Sequence, residues 1–199
     1  MRSRWLAALV VALLVTSAGN ALAQDAKAEV SAGWRHLYLA GSDGESGANI
    51  PKGWYLDVAV PISSMLSIVG DVGGHYKSET VTELVQGVTV TGTGKVSVHT
   101  FMAGVRLRAS RDPRVVPFAQ ALFGGARGSV TLEGSASAGG VTVDFDESET
   151  ATDGAMSVGG GVNLTAGSIG IRLQGEWLKI LAEDSGNAVR FGVGVVIPF

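Results

Sequence analysis

Charged residues in this chain sit at alternate positions between apolar ones. Ile169, Ile171, Leu173 and Trp177 are interleaved with Gly170, Arg172, Gln174 and Glu176, and Leu66, Ile68, Val72 and Tyr76 oppose Ser67, Asp71, Gly73 and His75. Asp57 stands among Trp54, Leu56, Val58 and Val60 in the same way, and Arg190 lies between Val189 and Phe191. A period of two belongs to an extended strand with unlike faces. If the polar positions share one enclosed space, it collects Arg35, Arg106, Arg108, Arg172 and Arg190 against Asp57, Asp71 and Glu176, with His75 beside them. Guanidinium and carboxylate groups buried together have to pair and hydrogen-bond, because an unpaired one is strongly destabilising. Two roles follow. One is a structural ionic plug; the alternative is a narrow path for ions or small solutes, gated by rearranging the pairs, in which the arginine excess favours anions.

Other chemistries find less support. Nucleophilic catalysis needs a base within reach of its hydroxyl. The residues two places beyond His36, His75 and His99 are Tyr38, Lys77 and Phe101, so the His-x-Ser arrangement of outer-membrane lipid A deacylases is missing and no catalytic residue is assigned. Asp144, Asp146, Glu147 and Glu149 are hard oxygen donors of the kind calcium takes, but their spacing lacks the Gly turn and the downstream bidentate Glu of a calcium loop. No metal site or cofactor is assigned; a weak divalent-cation bridge to lipopolysaccharide phosphates is the limit of that reading. With no cysteine, a formal charge of −3 and no phosphate-cradling Gly loop, nothing points to thiol chemistry or to nucleic acid.

The elements that must hold the charged positions are eight strand-like segments: Ala28–Leu39, Lys52–Val60, Met65–Lys77, Lys95–Ala109, Val115–Leu132, Thr152–Leu164, Ser168–Leu181 and Ala188–Phe199. The last alternates to its end, with Phe191, Val193, Val195, Ile197 and Phe199 on one side. Connections after the second, fourth and sixth segments are tight, whereas Ala40–Pro51, Ser78–Gly94 and Glu133–Ala151 are long. Short turns at one end and long loops at the other mark a membrane barrel with its termini on the short-turn side. Met1–Ala23 reads as an export signal: Arg2 and Arg4, an apolar run from Trp5 to Val15, then the small-residue exit Ala21-Leu22-Ala23. Cleavage removes 23 of 199 residues and leaves 176, residues 24–199, as one barrel domain with a charge of about −5. No later apolar run reaches spanning-helix length, so a membrane form has to be a closed sheet. The expected fold is all-β: an eight-stranded antiparallel up-and-down transmembrane β-barrel, apolar outside and polar within.

Two segments resist assignment. In Val115–Leu132, Phe118 and Leu122 share a parity with Gln120 while Phe123 shares one with Arg127, which calls for a bulge. The first segment is ambiguous around His36. Val81–Val98 and Val130–Phe145, with Val88-Thr89-Val90-Thr91 and Val141-Thr142-Val143, carry strand patterns past the expected membrane edge and would project as hairpins with open edges.

The stretches Gly53–Val60, Leu66–Tyr76 and Val116–Arg127, together with the terminal strand ending at Phe199, resemble the small outer-membrane β-barrel family, broadly OmpA/OmpX-like, over essentially the whole mature chain. The resemblance implies insertion into the bacterial outer membrane by the assembly machinery that reads the C-terminal aromatic strand. It implies no single activity; no periplasmic peptidoglycan-binding domain follows Phe199, so the anchoring role of larger relatives is not expected. The reading is therefore a monomeric, non-enzymatic barrel among outer-membrane lipids and lipopolysaccharide. Its role is structural or surface-interacting, with a possible extracellular partner at loops 78–94 and 133–151.

Overall fold

The structure is a computed structural model and describes residues 28–40, 47–85, 88–109, 114–138, 141–182 and 186–199. The export segment 1–23 lies outside the described residues. Every element among them is a strand: β1 Glu29–Leu39, β2 Ala48–Ile50, β3 Lys52–Pro61, β4 Leu66–Val85, β5 Val88–Arg108, β6 Val115–Ala138, β7 Val141–Ala166, β8 Ile169–Ile180 and β9 Asn187–Pro198. From β3 to β9 each strand pairs antiparallel with the next, and β1 closes the ring on β9 from Glu29↔Pro198 to Leu39↔Ala188. The nine strands make eight staves. β2 and β3 both pair with β1, and the register slips by one residue between Trp34↔Trp54 and Leu37↔Ile50. Pro51 sits at the slip, where it has no N–H to offer a ladder, and its carbonyl accepts the Trp34 indole N–H at 2.8 Å.

Two features of the short-turn end fix local register. The Ser63 hydroxyl accepts the backbone N–H of Leu66 at 3.1 Å. Gly167 opens the two-residue turn between Ala166 and Ile169 at φ 70°, a backbone region open to glycine at no steric cost.

At the other end β4, β5, β6 and β7 outrun their neighbours. β3 stops with Lys52 facing Tyr76 and β8 with Ile180 facing Ala155, but the four long strands stay paired up to Val85↔Val88 and Ala138↔Val141. Most of the long connections 78–94 and 133–151 is therefore sheet, in line with the hairpin patterns of Val81–Val98 and Val130–Phe145. The β-branched Val and Thr of these stretches suit a pleated surface, and cross-strand hydroxyls meet at Thr80–Thr93, 2.9 Å, and Ser137–Thr142, 2.9 Å.

No bulge interrupts β6: its register on β5 and on β7 is unbroken from Phe118 upward. Phe118, Gln120, Leu122 and Ala126 are buried on the inner face, and Phe123 and Arg127 are exposed on the outer one. In β1, Arg35 is inside and His36 outside. Outward positions on the lower wall are apolar, for example Phe101, Val105 and Leu107 on β5. Beyond His99 the same outward parity carries Ser97, Lys95, Thr93 and Thr91, so the polarity of the outer face inverts along a single strand.

Candidate functional site

The inward parity of every stave builds one packed lumen. Arg35, Arg106, Arg172, Arg190, Asp57, Asp71 and Glu176 are buried there, each on a strand whose alternate residues face out. His75 is buried on the same inner face but makes no carboxylate pair among the described residues. Arg108 lies nearer the short-turn rim.

The pairs form two groups. In the lower one Arg172 donates to Asp57 and, at 2.8 Å, to Glu29. Arg108 reaches Glu29 at 2.8 Å and Arg106 reaches Asp57 at 3.0 Å, while Asn163 accepts the Arg172 Nε–H at 2.8 Å. Phe118 supports this group from below the guanidinium planes, with Arg106 4.6 Å and Arg172 5.0 Å from its ring centre, a cation–π arrangement favoured away from water. In the upper group Arg35 forks onto Asp71 at 2.9 and 2.7 Å and stacks 4.5 Å over Tyr55. Arg190 pairs with Glu176, which also accepts from Ser157 at 2.9 Å. Gln120 joins the two groups: its amide oxygen accepts Arg106 at 2.9 and 2.7 Å, and its amide N–H donates to Glu176 at 2.9 Å. One chain of charge-assisted hydrogen bonds thus runs from Arg108 to Arg190, and the Arg35–Asp71 pair adjoins it through an ion-pair contact of Arg35 with Glu176 at 3.6 Å.

The hydrogen-bonding participants Glu29, Gln120, Asn163 and Ser157 were missing from the sequence reading of the lumen. Glu29 opens β1, where the alternation of Glu29-Val30-Ser31-Ala32 is weak. Gln120 and Asn163 are neutral and carry no charge signal. Glu29 also corrects the arginine excess. Four buried carboxylates now face four fully buried arginines plus Arg108 at the rim, which removes most of the bias toward anions.

The expectation of a polar lumen is corrected too. Leu37, Leu122, Leu178 and Ala188 sit two residues beyond Arg35, Gln120, Glu176 and Arg190 toward the long hairpins, and pack in one cluster with Ile50, Val98 and Met102. An apolar layer therefore caps the ionic one. It escapes a parity reading because its inward apolar residues look like outward ones.

On the outer wall the apolar series end in aromatic and cationic side chains near the long-hairpin end. Trp54 donates its indole N–H to the Tyr76 hydroxyl at 3.3 Å, which meets His99 Nε2 at 2.9 Å. His99 thus partners a tyrosine and not a serine. Lys52, Arg127 and Lys179 take outward positions just beyond the apolar residues of β3, β6 and β8. The four acids weighed as a metal loop alternate along β7, Asp144 and Asp146 on one face and Glu147 and Glu149 on the other, so they do not converge. The terminal Phe191, Val193, Val195, Ile197 and Phe199 form an unbroken exposed stripe on β9 and the residue after it.

Among solved structures, the chain is similar to the attachment invasion locus protein Ail of Yersinia pestis, with a TM-score of 0.56 and 16% identity over 87% of this chain and 99% of that one. A second structure of Ail, in complex with the heparin analogue sucrose octasulfate, matches with a TM-score of 0.55 and 13% identity over 87% and 98% of the two chains. Neisserial surface protein A matches with a TM-score of 0.52 and 14% identity over 86% and 97%. No family model matches the sequence, and no curated protein matches it. At such identities the likeness establishes the fold, that of small outer-membrane β-barrels.

Proposed function

We propose that the mature chain is a monomeric, non-enzymatic barrel of the bacterial outer membrane whose lumen is closed and whose role is structural or surface-interacting. It is carried by the hydrogen-bonded chain from Arg108 through Gln120 to Glu176 and Arg190, with the Arg35–Asp71 pair beside it, capped by Leu37, Leu122 and Leu178. An eight-stranded barrel has an interior just wide enough for side chains to fill, and here they fill it twice, once with ions and once with hydrocarbon. The exposed outward Ile169, Ile171, Leu173 and Trp177 suit lipid. Lys52, Arg127 and Lys179 suit the phosphates of lipopolysaccharide at the outer rim. The 1–23 segment supplies export, and the Phe191–Phe199 stripe supplies the contact read by the assembly machinery. Closure of β1 on β9 leaves no open edge within the wall, which favours a monomer.

Surface interaction falls to the four-stranded extension of β4–β7. Ail is seen with a polyanion; this extension carries Glu79, Glu83, Glu147 and Glu149 on one face, a poor match for sulfates.

Conductance of the purified protein in a planar lipid bilayer tests the closed lumen. Silence is expected across physiological voltages. Stable unitary steps would replace the plug with the ion path.

A further inference from the structure

The extension of β4–β7 has two unlike faces. Its outer face is a ladder of paired polar side chains: Thr82 meets Thr91 at 3.2 Å, Thr150 donates to Ser129 at 3.1 Å, and Lys95 grips Glu133 at 2.6 Å. Its inner face continues the lumen parity and is apolar along the middle. One row across the sheet reads Glu79, Gly94, Leu132, Glu147. The row below reads Lys77, Val96, Val130, Glu149, and the row above reads Val81, Gly92, Gly134, Phe145. Leu132, Val81 and Phe145 are 51, 59 and 53% exposed, although nothing in a polar surface requires them there. A contiguous exposed apolar patch framed by charge marks an interaction surface.

The frame and the floor say what fits. Carboxylates line both edge strands, Glu79 and Glu83 on β4 and Glu147 and Glu149 on β7. The inner-face cation of these rows, Lys77, is already paired with Glu79 at 2.8 Å. Three strand spacings give a face about 14 Å wide, against a helix diameter of about 10–12 Å. With the next row up, Glu83 beside Val90, four rows two residues apart run about 20 Å, the length of about 13 helical residues. Along the floor, a side chain added at Gly92 or Gly128 would meet nothing within 4 Å, so the backbone lies open to an approaching partner. The Phe145 ring, by contrast, lies over Gly134, where an added Cβ would come within 2.1 Å of it.

We propose that this inner face is a docking site for a cationic amphipathic helix, its apolar stripe seated on Leu132, Val130 and Val81 and its flanking Lys or Arg residues paired with the edge carboxylates. Lipopolysaccharide and other anionic lipids are the wrong sign for that frame. The inference rests on the surface-interaction reading above and assigns the partner class.

The test uses the mature protein in phosphatidylcholine nanodiscs, with heat-modified gel mobility first reporting the barrel. A labelled Leu/Lys peptide of about 14 residues, all Leu on one helical face, is titrated by fluorescence anisotropy against protein-loaded and empty discs. Saturable binding above the empty-disc signal is expected, weakened at least about tenfold by Glu83→Gln with Glu147→Gln and by added salt. A Glu-for-Lys peptide should not bind. Gly92→Trp, which fills open space without touching the ladder, should abolish binding while leaving gel mobility unchanged. Equal binding by Gly92→Trp, by the carboxylate variant or by the acidic peptide overturns the proposal. So does preferential capture of anionic vesicles, or a concentration-dependent dimer that Gly92→Trp disrupts, which would make the occupant a membrane or a second copy. A chain that proved soluble without detergent would refute the barrel reading, yet the same titration in buffer would still decide the face.

Discussion

Removing Glu176 is the sharpest perturbation of the lumen. Its carboxylate takes the Arg190 guanidinium, the Gln120 amide at 2.9 Å and the Ser157 hydroxyl at 2.9 Å, with Arg35 a further contact at 3.6 Å. In Glu176→Ala, Arg35 keeps its fork on Asp71, but Arg190 is left with the hydroxyls of Ser157 at 3.1 Å and Thr100 at 3.4 Å. A buried guanidinium stripped of its counter-ion costs about 3–5 kcal/mol. Replacing both partners behaves differently, because Leu178, Ala188 and Met102 adjoin the site and an apolar side chain at 190 extends the existing hydrocarbon layer. Glu176→Ala with Arg190→Leu should therefore be more stable than Glu176→Ala alone, with a coupling of at least about 2 kcal/mol in the double-mutant cycle. Urea unfolding in lipid vesicles, followed by tryptophan fluorescence, reads both quantities. An unchanged midpoint in Glu176→Ala, or strict additivity in the double variant, would refute a plug held by pairing.

Further outcomes follow from the same contacts. Gln120→Leu should leave Arg106 and Glu176 each short of a partner, lowering stability by about 1–3 kcal/mol for each orphaned group, read by the same unfolding curves. Phe118→Leu should cost about 2 kcal/mol by removing the face under Arg106 and Arg172, whereas outward Phe123→Leu should be close to neutral; equal losses would return β6 to the opposite parity. Leu173→Arg, mid-wall on the outer face, should cost about 2–4 kcal/mol in vesicles, whereas Leu132→Arg, above the wall, should leave the midpoint unmoved. Gly167→Val should destabilise by about 1–2 kcal/mol because its φ is positive, and Gly167→Asn should be tolerated.

What the sequence discloses follows from how strongly a residue type marks its surroundings. Charges flanked by Ile, Leu and Val, as at Arg172 and Glu176, declare an inward face because lipid and guanidinium cannot share the other. The same rule fails at Leu122 and Leu178, where apolar side chains point inward above the ions and mimic lipid-facing residues. It fails also at Gln120 and Asn163, which do ionic work without charge. Phe118 looks outward by type yet lies inside as the platform for two arginines, and only three-dimensional proximity of β5, β6 and β8 reveals that. The hairpin lengths were half legible. Val-Thr alternation announces strand, but the inversion of the outer face beyond His99 depends on a change of surroundings from hydrocarbon to water, which a single strand pattern does not date. Pro51 hides a slip in register, so one stave reads as two strands.

One sheet faces lipid with its apolar parity below His99 and water with its polar parity above it. The chain has no cysteine, so single cysteines introduced along β5 from Lys95 to Leu107 can each carry a nitroxide in lipid vesicles, where oxygen and a water-soluble nickel complex report its surroundings. Oxygen should reach Phe101, Ala103, Val105 and Leu107, nickel should reach Lys95 and Ser97, and both should be excluded at Met102 and Arg106. Oxygen access at Met102 and Arg106, or nickel access along the whole outward series, would contradict the inside-out barrel.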